Sequence, residues 1–513
     1  MGRGGSQRSG GRRRALVGTA SAGVVALVLT ACGSSGATPA TSSAPTPPST
    51  AVAAVAPPAR AAWTTCAGDS ALQCTTVEVP FDYDHPGDGS LAVAVARSPA
   101  LDPARQVGTL FFNPGGPGES GIQILPVALS ELPPTVRQRF DVVSFDPRGT
   151  GASSPLDCGT SPSGAVSQLT VPARAGLPLP STGFFTTMAE DCARDHAALA
   201  ASLDSTNTAR DMDRIRQALG LTAISYYGIS YGTVLGTVYA DLFPARVQTM
   251  VLDGAVDLHA TLPVQAGEQA PAAERSVVHL LDTCGDVSPC PLGADPTTVY
   301  TSLAASITRR PLPPPGNGDD VPVTVGDLDT ATLFAVSVPS FTTQYLSALV
   351  AARSGNGAPL RSLALEFVSD IDGAPLVDPQ WAIACNDAPA HPGPVAAGTL
   401  ARTLASRYPL IGSYVASYTL AGCVAWPGGR QPLADVRPSR APPTLVIGNT
   451  GDPNTPLVAA KHLAADFPRA SQLTWDGWGH TWLLSGSGDP CMQQRVTAYL
   501  VDGTLPPAGT VCS

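Results

Sequence analysis

The chain has 513 residues, 43% hydrophobic and 14% charged, which supplies a sizeable core and is too long for one minimal domain. Its net charge of −10, with no basic patch interleaved with aromatics, argues against nucleic-acid binding. The eleven cysteines include no CxxC pair with a matching partner, which argues against a zinc site, and no other metal or cofactor motif stands out.

Residues 1–32 read as an export signal. A basic segment ending at Arg14 precedes an apolar run, Ala15 to Leu29, that is short for a membrane span. Leu29-Thr30-Ala31-Cys32 has the form of a bacterial lipobox, so Cys32 is the expected lipidation site and membrane anchor; an ordinary cleaved signal is the alternative. Arg13-Arg14-Ala-Leu-Val also fits a twin-arginine signal loosely, leaving the export route open. Without Cys32, ten cysteines remain for an oxidising compartment, and proximity in sequence suggests Cys66–Cys74, Cys158–Cys192, Cys284–Cys290, Cys385–Cys423 and Cys491–Cys512. Residues 33–60, rich in Ser, Thr, Ala and Pro, are expected to form a disordered tether.

Val77 to Tyr83 and Leu91 to Ala96 alternate like the arms of a hairpin. A strand from Gly108 to Phe112 then runs into Asn113-Pro-Gly-Gly-Pro-Gly-Glu-Ser-Gly121, whose glycines leave backbone N–H groups unobstructed. The strand Phe140 to Phe145 ends in Asp146-Pro-Arg-Gly-Thr-Gly151, a turn expected to be structural. Periodicity predicts a helix over Thr208 to Leu219, capped by Asn207 or Thr206. The next strand leads to Gly228-Ile-Ser-Tyr-Gly232, a GxSxG turn between a strand and a helix. Such a turn lifts a serine hydroxyl above the sheet and requires small neighbours on either side. Ser230 is therefore the expected nucleophile, with the N–H groups of Gly116 and Tyr231 as an oxyanion hole.

Val247 to Leu252 is a further strand, and the strand–crossover rhythm from 108 to 254 predicts a mostly parallel sheet flanked by helices. From 255 to 436 that rhythm breaks into helical segments around a Pro-rich stretch, read as an inserted helical cap. The expected organisation is thus 61–254 as the first part of the core, 255–436 as the cap and 437–513 as the second part. In that last part, the strand Pro443 to Gly448 is followed by Gly451-Asp-Pro-Asn-Thr-Pro456, and Leu473 to Trp475 by Gly477-Trp-Gly-His480. A serine needs a base, and the base a carboxylate, in the chain order Ser, Asp, His. Ser230, Asp452 and His480 meet that order. Asp253, also at a strand end, is the rival acid, and Asp452 is preferred for its shaped loop.

Seven motifs in order carry a resemblance. They are Asn113-Pro-Gly-Gly-Pro-Gly-x-Ser-Gly121, Asp146-Pro-Arg-Gly-x-Gly151, Gly228-Ile-Ser-Tyr-Gly-Thr233, Val251-Leu-Asp-Gly254, Ala384-Cys-Asn-Asp387, Gly451-Asp-Pro-x-Thr-Pro456 and Gly479-His480. From about Trp63 to the end, the chain resembles the secreted tripeptidyl aminopeptidases, α/β-hydrolase serine peptidases related to proline iminopeptidase, including mycobacterial cell-envelope proteases. The resemblance implies a serine exopeptidase of the cell envelope that acts on peptides or proteins with a free N-terminus through Ser230, Asp452 and His480. Where proline iminopeptidases have His-Gly-Gly-Pro-Gly, this chain has Pro114-Gly-Gly-Pro-Gly, so release of single prolines does not carry over. An aminopeptidase must also hold an ammonium group, for which Asp387, Glu274 and Glu119 are the candidates. The same triad would serve a carboxylesterase or lipase, and a binding lipoprotein on an inactive hydrolase scaffold is the alternative outside the enzymes.

Overall fold

The computed structural model describes residues 56–169, 176, 178–284, 289–316, 318–369, 376–428 and 433–513. The export signal, Cys32 and most of the tether lie outside the described residues. Ten strands form one sheet: β1 (Thr64–Cys66), β2 (Asp69–Pro80), β3 (Ser90–Ser98), β4 (Gly108–Asn113), β5 (Phe140–Phe145), β6 (Ile224–Ile229), β7 (Val247–Asp253), β8 (Thr444–Gly451), β9 (Ala470–Trp478) and β10 (Val511–Cys512). Their order across the sheet is β1-β2-β3-β5-β4-β6-β7-β8-β9-β10. The first three strands are antiparallel, and every pair from β5 to β10 is parallel.

Alternation of side chains along the central strands produces two cores. Phe111, Tyr226 and Leu252 face one side, while Leu110, Phe112, Tyr227 and Val251 face the other. Both sets are fully buried, as a parallel sheet covered on both faces requires.

The register matters most for function. Asn113 lies opposite Gly228, Ile229 opposite Asp253, Asp253 opposite Ile447, and Gly451 opposite Trp478. Because these strands are parallel, the loops that leave β4, β6, β7, β8 and β9 all emerge along one edge. That edge is where ligands bind in open α/β sheets.

A third apolar cluster consists of helices. It includes Leu262–Cys284, Val325–Ser337, Ala358–Val368, Val377–Asp387 and Gly412–Val424, within the range expected for the cap. One stretch joins it that the sequence reading assigned to the core. Its helices Pro162–Gln168, Thr182–Asp195 and Ala197–Ser202, with the flanking Leu156 and Leu203, pack mainly against this cluster, and Leu199 also touches the sheet-side core. The reason is its apolar face: Phe185 packs against Trp381 in a tilted pair with ring centroids 4.7 Å apart, and Cys192 is bonded to Cys158. The four other suggested disulfides also form.

The helix before the elbow starts earlier than expected, at Ser205. Asp204 is its cap, accepting from the Asn207 N–H at 2.7 Å, because a carboxylate in extended geometry at that position satisfies a free N–H of the first turn. Arg148 is fully buried and does more than hold backbone: it forms a two-pronged ion pair with Asp211 and also reaches the carbonyls of Pro80 and Phe81.

Candidate active site

Ser230 follows β6 at φ 53°, one of three non-glycine residues with positive φ among the described residues. A conformation of this kind costs roughly 1–3 kcal/mol and persists only where the surroundings enforce it. They do so here through backbone and packing. The Ser230 N–H donates to the Asp253 carbonyl at 2.9 Å, and the helix Gly232–Leu242 begins immediately afterwards. A Cβ on Gly232 would lie 2.6 Å from the Asn113 carbonyl, and one on Gly228 would collide with the Gly232 carbonyl. Both glycines of GxSxG are therefore required by close approach of main chain.

On the other side of Ser230 is the glycine loop after β4. Gly115, Gly116 and Gly118 all have positive φ, and Gly115 sits so close beneath the elbow that a Cβ would reach 2.7 Å from the Tyr231 nitrogen. The loop's far end is fixed by Asp146, which accepts from the Ser120 hydroxyl at 2.6 Å, the Ile122 N–H and the Ala152 N–H. The structural role expected of Asp146 thus extends to holding this loop.

His480 leaves β9 and hydrogen-bonds Asp452 through Nδ1, at 3.0 and 3.1 Å from the two carboxylate oxygens. Asp452 is fully buried and accepts from the N–H groups of Asn454, Thr455 and Thr481 and from the Thr455 hydroxyl. Burial pushes its pKa up, but the His480 charge and these donors outweigh burial and hold Asp452 below the usual carboxylate value. For His480, burial favours the neutral ring, yet the carboxylate of Asp452 prevails and raises the pKa above that of ordinary imidazole. Ser230, Gly116, Tyr231 and His480 all line one cavity of about 360 Å³, a size ordinary for a ligand site.

Asp253, the rival acid, does not hydrogen-bond the imidazole. Its carboxylate accepts from the Trp482 and Leu483 N–H groups at 3.0 Å and from the Tyr227 hydroxyl at 2.9 Å, and burial pushes its pKa up to about 6. It holds the loop just beyond His480, while its own carbonyl holds Ser230. The helical layer contributes as well. The Ser337 carbonyl accepts from the His480 N–H at 2.8 Å, and its hydroxyl accepts from the Asn454 amide at 2.9 Å. Nothing in the sequence around Ser337 signals this role, since the contact exists only through tertiary folding.

Among the proposed amine-binding residues, Glu274 is a correction. Its carboxylate accepts from the Leu410 and Ile411 N–H groups at 3.1–3.2 Å, it is not part of the cavity wall, and it serves to join two helices of the layer. Glu119 lies in the wall, beside Gly116 and near enough to raise the pKa of His480 through its charge. Asp387 also lies in the wall, but its oxygens accept from the Ser205 N–H and the Tyr231 hydroxyl. Burial, followed by the charge of Asp204, pushes Asp387 up to about 7. Asp257, Glu268 and Glu366 complete the acidic part of the wall; the sequence reading missed all three, having no motif to find them. Phe334, Phe367, Trp381, Tyr231 and Tyr418 form the aromatic part, and no Lys or Arg lines the cavity among the described residues.

A mostly parallel sheet, a strand–turn–helix elbow and a later histidine–aspartate pair define the α/β-hydrolase fold, and the chain is a serine hydrolase of that class. Residues 108–282 match the family model described as alpha/beta hydrolase fold, and residues 408–512 the one described as TAP-like protein. The chain is 33% identical over 480 residues to serine protease Hip1 of Mycobacterium tuberculosis, covering 88% of this chain and 90% of that protein. It is 32% identical over 470 residues to carboxylesterase B of the same organism (86% of each). With tripeptidyl aminopeptidase of Streptomyces lividans it shares 29% over 488 residues, 88% and 86% of the two chains. It belongs to the TAP-like α/β-hydrolase family that these proteins represent. Its five disulfides are consistent with export, and no helix among the described residues is long and apolar enough to cross a membrane.

Proposed function

We propose that the protein is a serine exopeptidase that removes short peptides, tripeptides in particular, from free N-termini. Ser230 attacks the scissile carbonyl; His480 takes its proton and returns it to the leaving amine; Asp452 holds the imidazole tautomer and stabilises the imidazolium. The N–H groups of Gly116 and Tyr231 receive the oxyanion. The observation that carries this reading is the buried Asp452 on His480 Nδ1, with His480 sharing one cavity with a serine at positive φ.

The charge of the wall favours an amine-bearing substrate. Five carboxylates and no described cation attract an ammonium and repel the carboxylate of a C-terminal exopeptidase substrate. Glu119 is the one of the three expected anchors that still fits a direct role. In this reading residues 61–254 and 437–513 carry the hydrolase core and 255–436 the cap, with the helices between Leu156 and Leu203 packed onto the cap. The protein is anchored through a lipid on Cys32 at the outer face of the cell membrane, which mass spectrometry of the mature N-terminus tests.

The enzymatic test compares free and N-acetylated mono-, di- and tripeptidyl amides with p-nitrophenyl esters, on wild type and Ser230→Ala. Turnover of free tripeptidyl amides, abolished by acetylation and by Ser230→Ala, is expected. Turnover of esters alone would make the protein a carboxylesterase.

A further inference from the structure

The residue after the nucleophile carries a side chain that acyl transfer does not by itself require. The ring of Tyr231 packs against both the sheet-side cluster and the helical cluster, so it stands where the two cores meet. Its hydroxyl donates a short hydrogen bond to Asp387, the last residue of the helix Val377–Asp387. The same carboxylate accepts from the N–H of Ser205, the first residue of the helix Ser205–Ala218, at 3.0 Å.

The end of the Asp387 helix is itself held firmly. Asn386 donates to the carbonyls of Ala200 and Leu203 at 2.7 and 2.8 Å and accepts from the Trp426 indole, and Cys385 is bonded to Cys423. A carboxylate mounted on so fixed a support is suited to orienting what it binds. What it binds is the side chain of the residue whose peptide N–H faces the developing oxyanion. That peptide unit joins Tyr231 to Ser230, whose strained φ needs outside support.

We propose that Asp387 is a positioning residue for acyl transfer: through the Tyr231 hydroxyl it fixes the Ser230–Tyr231 peptide, so that the helical layer sets the oxyanion geometry. The inference rests on Ser230 being the nucleophile. It assigns Asp387 a task other than holding a substrate amine, and the two tasks separate cleanly by substrate. Oxyanion geometry serves every acyl donor alike, whereas an amine anchor serves only substrates with a free N-terminus.

The test uses Tyr231→Phe, which keeps the ring, and Asp387→Asn, which keeps the shape. Competent sites are counted by titration with a fluorophosphonate, so that kcat refers to folded enzyme only. Both variants are expected to lose about 10- to 100-fold in kcat on p-nitrophenyl acetate and on a free tripeptidyl amide alike, with KM within about two-fold. A peptidyl boronate that mimics the oxyanion should weaken by a similar factor.

The proposal is overturned if Tyr231→Phe has wild-type kcat on both substrates. It is equally overturned if the loss in Asp387→Asn is confined to free-amine substrates and lies in KM, which would make Asp387 an amine anchor. If Asp387→Asn does not fold, Tyr231→Phe alone decides. Failure of the serine-hydrolase reading looks different, because Ser230→Ala would then hydrolyse both substrates as the wild type does.

Discussion

Replacing Asp452 by asparagine tests the site most sharply, since the structure assigns that carboxylate several jobs at once. It accepts from three backbone N–H groups, one hydroxyl and the ring of His480, all within 3.1 Å. The substituted amide would keep one accepting oxygen and turn an NH₂ toward groups that are themselves donors. Leaving a buried donor unsatisfied costs about 1–3 kcal/mol, so a drop in Tm of a few degrees is expected. The effect on chemistry is larger. An amide in this position favours the wrong imidazole tautomer, for which a loss of about 10⁴-fold in kcat is the guide. A second signature concerns pH. His480 acts as a base only when neutral, and the Asp452 charge raises its pKa, so wild-type kcat/KM should rise with pH above the ordinary histidine range. Without that charge, burial pulls the histidine pKa down, and the acid limb of the residual activity moves to lower pH. The assay is p-nitrophenyl acetate hydrolysis per fluorophosphonate-titrated site, over about pH 5 to 9, which brackets the histidine range. Asp253→Asn is the control: it loosens the loop after His480 and should cost about 10- to 100-fold, with a smaller downward shift of the acid limb than Asp452→Asn, because its charge raises His480 only from a distance. If Asp452→Asn stays within about ten-fold of wild type while Asp253→Asn abolishes activity, the assignment of the acid is wrong.

Glu119→Gln removes a negative charge that contributes to raising His480, so its acid limb on p-nitrophenyl acetate, which has no amine to anchor, should also shift to lower pH with kcat at the plateau retained; an unmoved limb refutes the electrostatic argument. Replacing Cys385 and Cys423 together by serine opens a link of sequence separation 38 and should destabilise the protein by about 4 kcal/mol, read as a lower Tm in calorimetry. An unchanged Tm would mean that the unfolded chain gains no freedom from losing that link.

The sequence by itself determined those parts of the protein whose cause is local. The strands β4 to β7 announce themselves as apolar runs, and Gly228 is needed because the main chain folds back on it at the Gly232 carbonyl, within a few residues of Ser230. The chain order of Ser230, Asp452 and His480, each at a strand end, follows from the same local signals, and pairing cysteines by proximity matched all five disulfides. The shaped loop of Asp452 already favoured it as the acid, whereas only tertiary structure decided the task of Asp253, which also ends a strand: it holds the loop beyond His480. Tertiary structure also decided that Glu274 braces helices, that the helices Pro162–Gln168, Thr182–Asp195 and Ala197–Ser202 join the helical layer, and that Ser337 supports His480 from more than a hundred residues away. Hydrogen-bond partners distant in the chain are fixed by how layers pack, and a single sequence records the groups available for pairing without recording which of them the packing brings together.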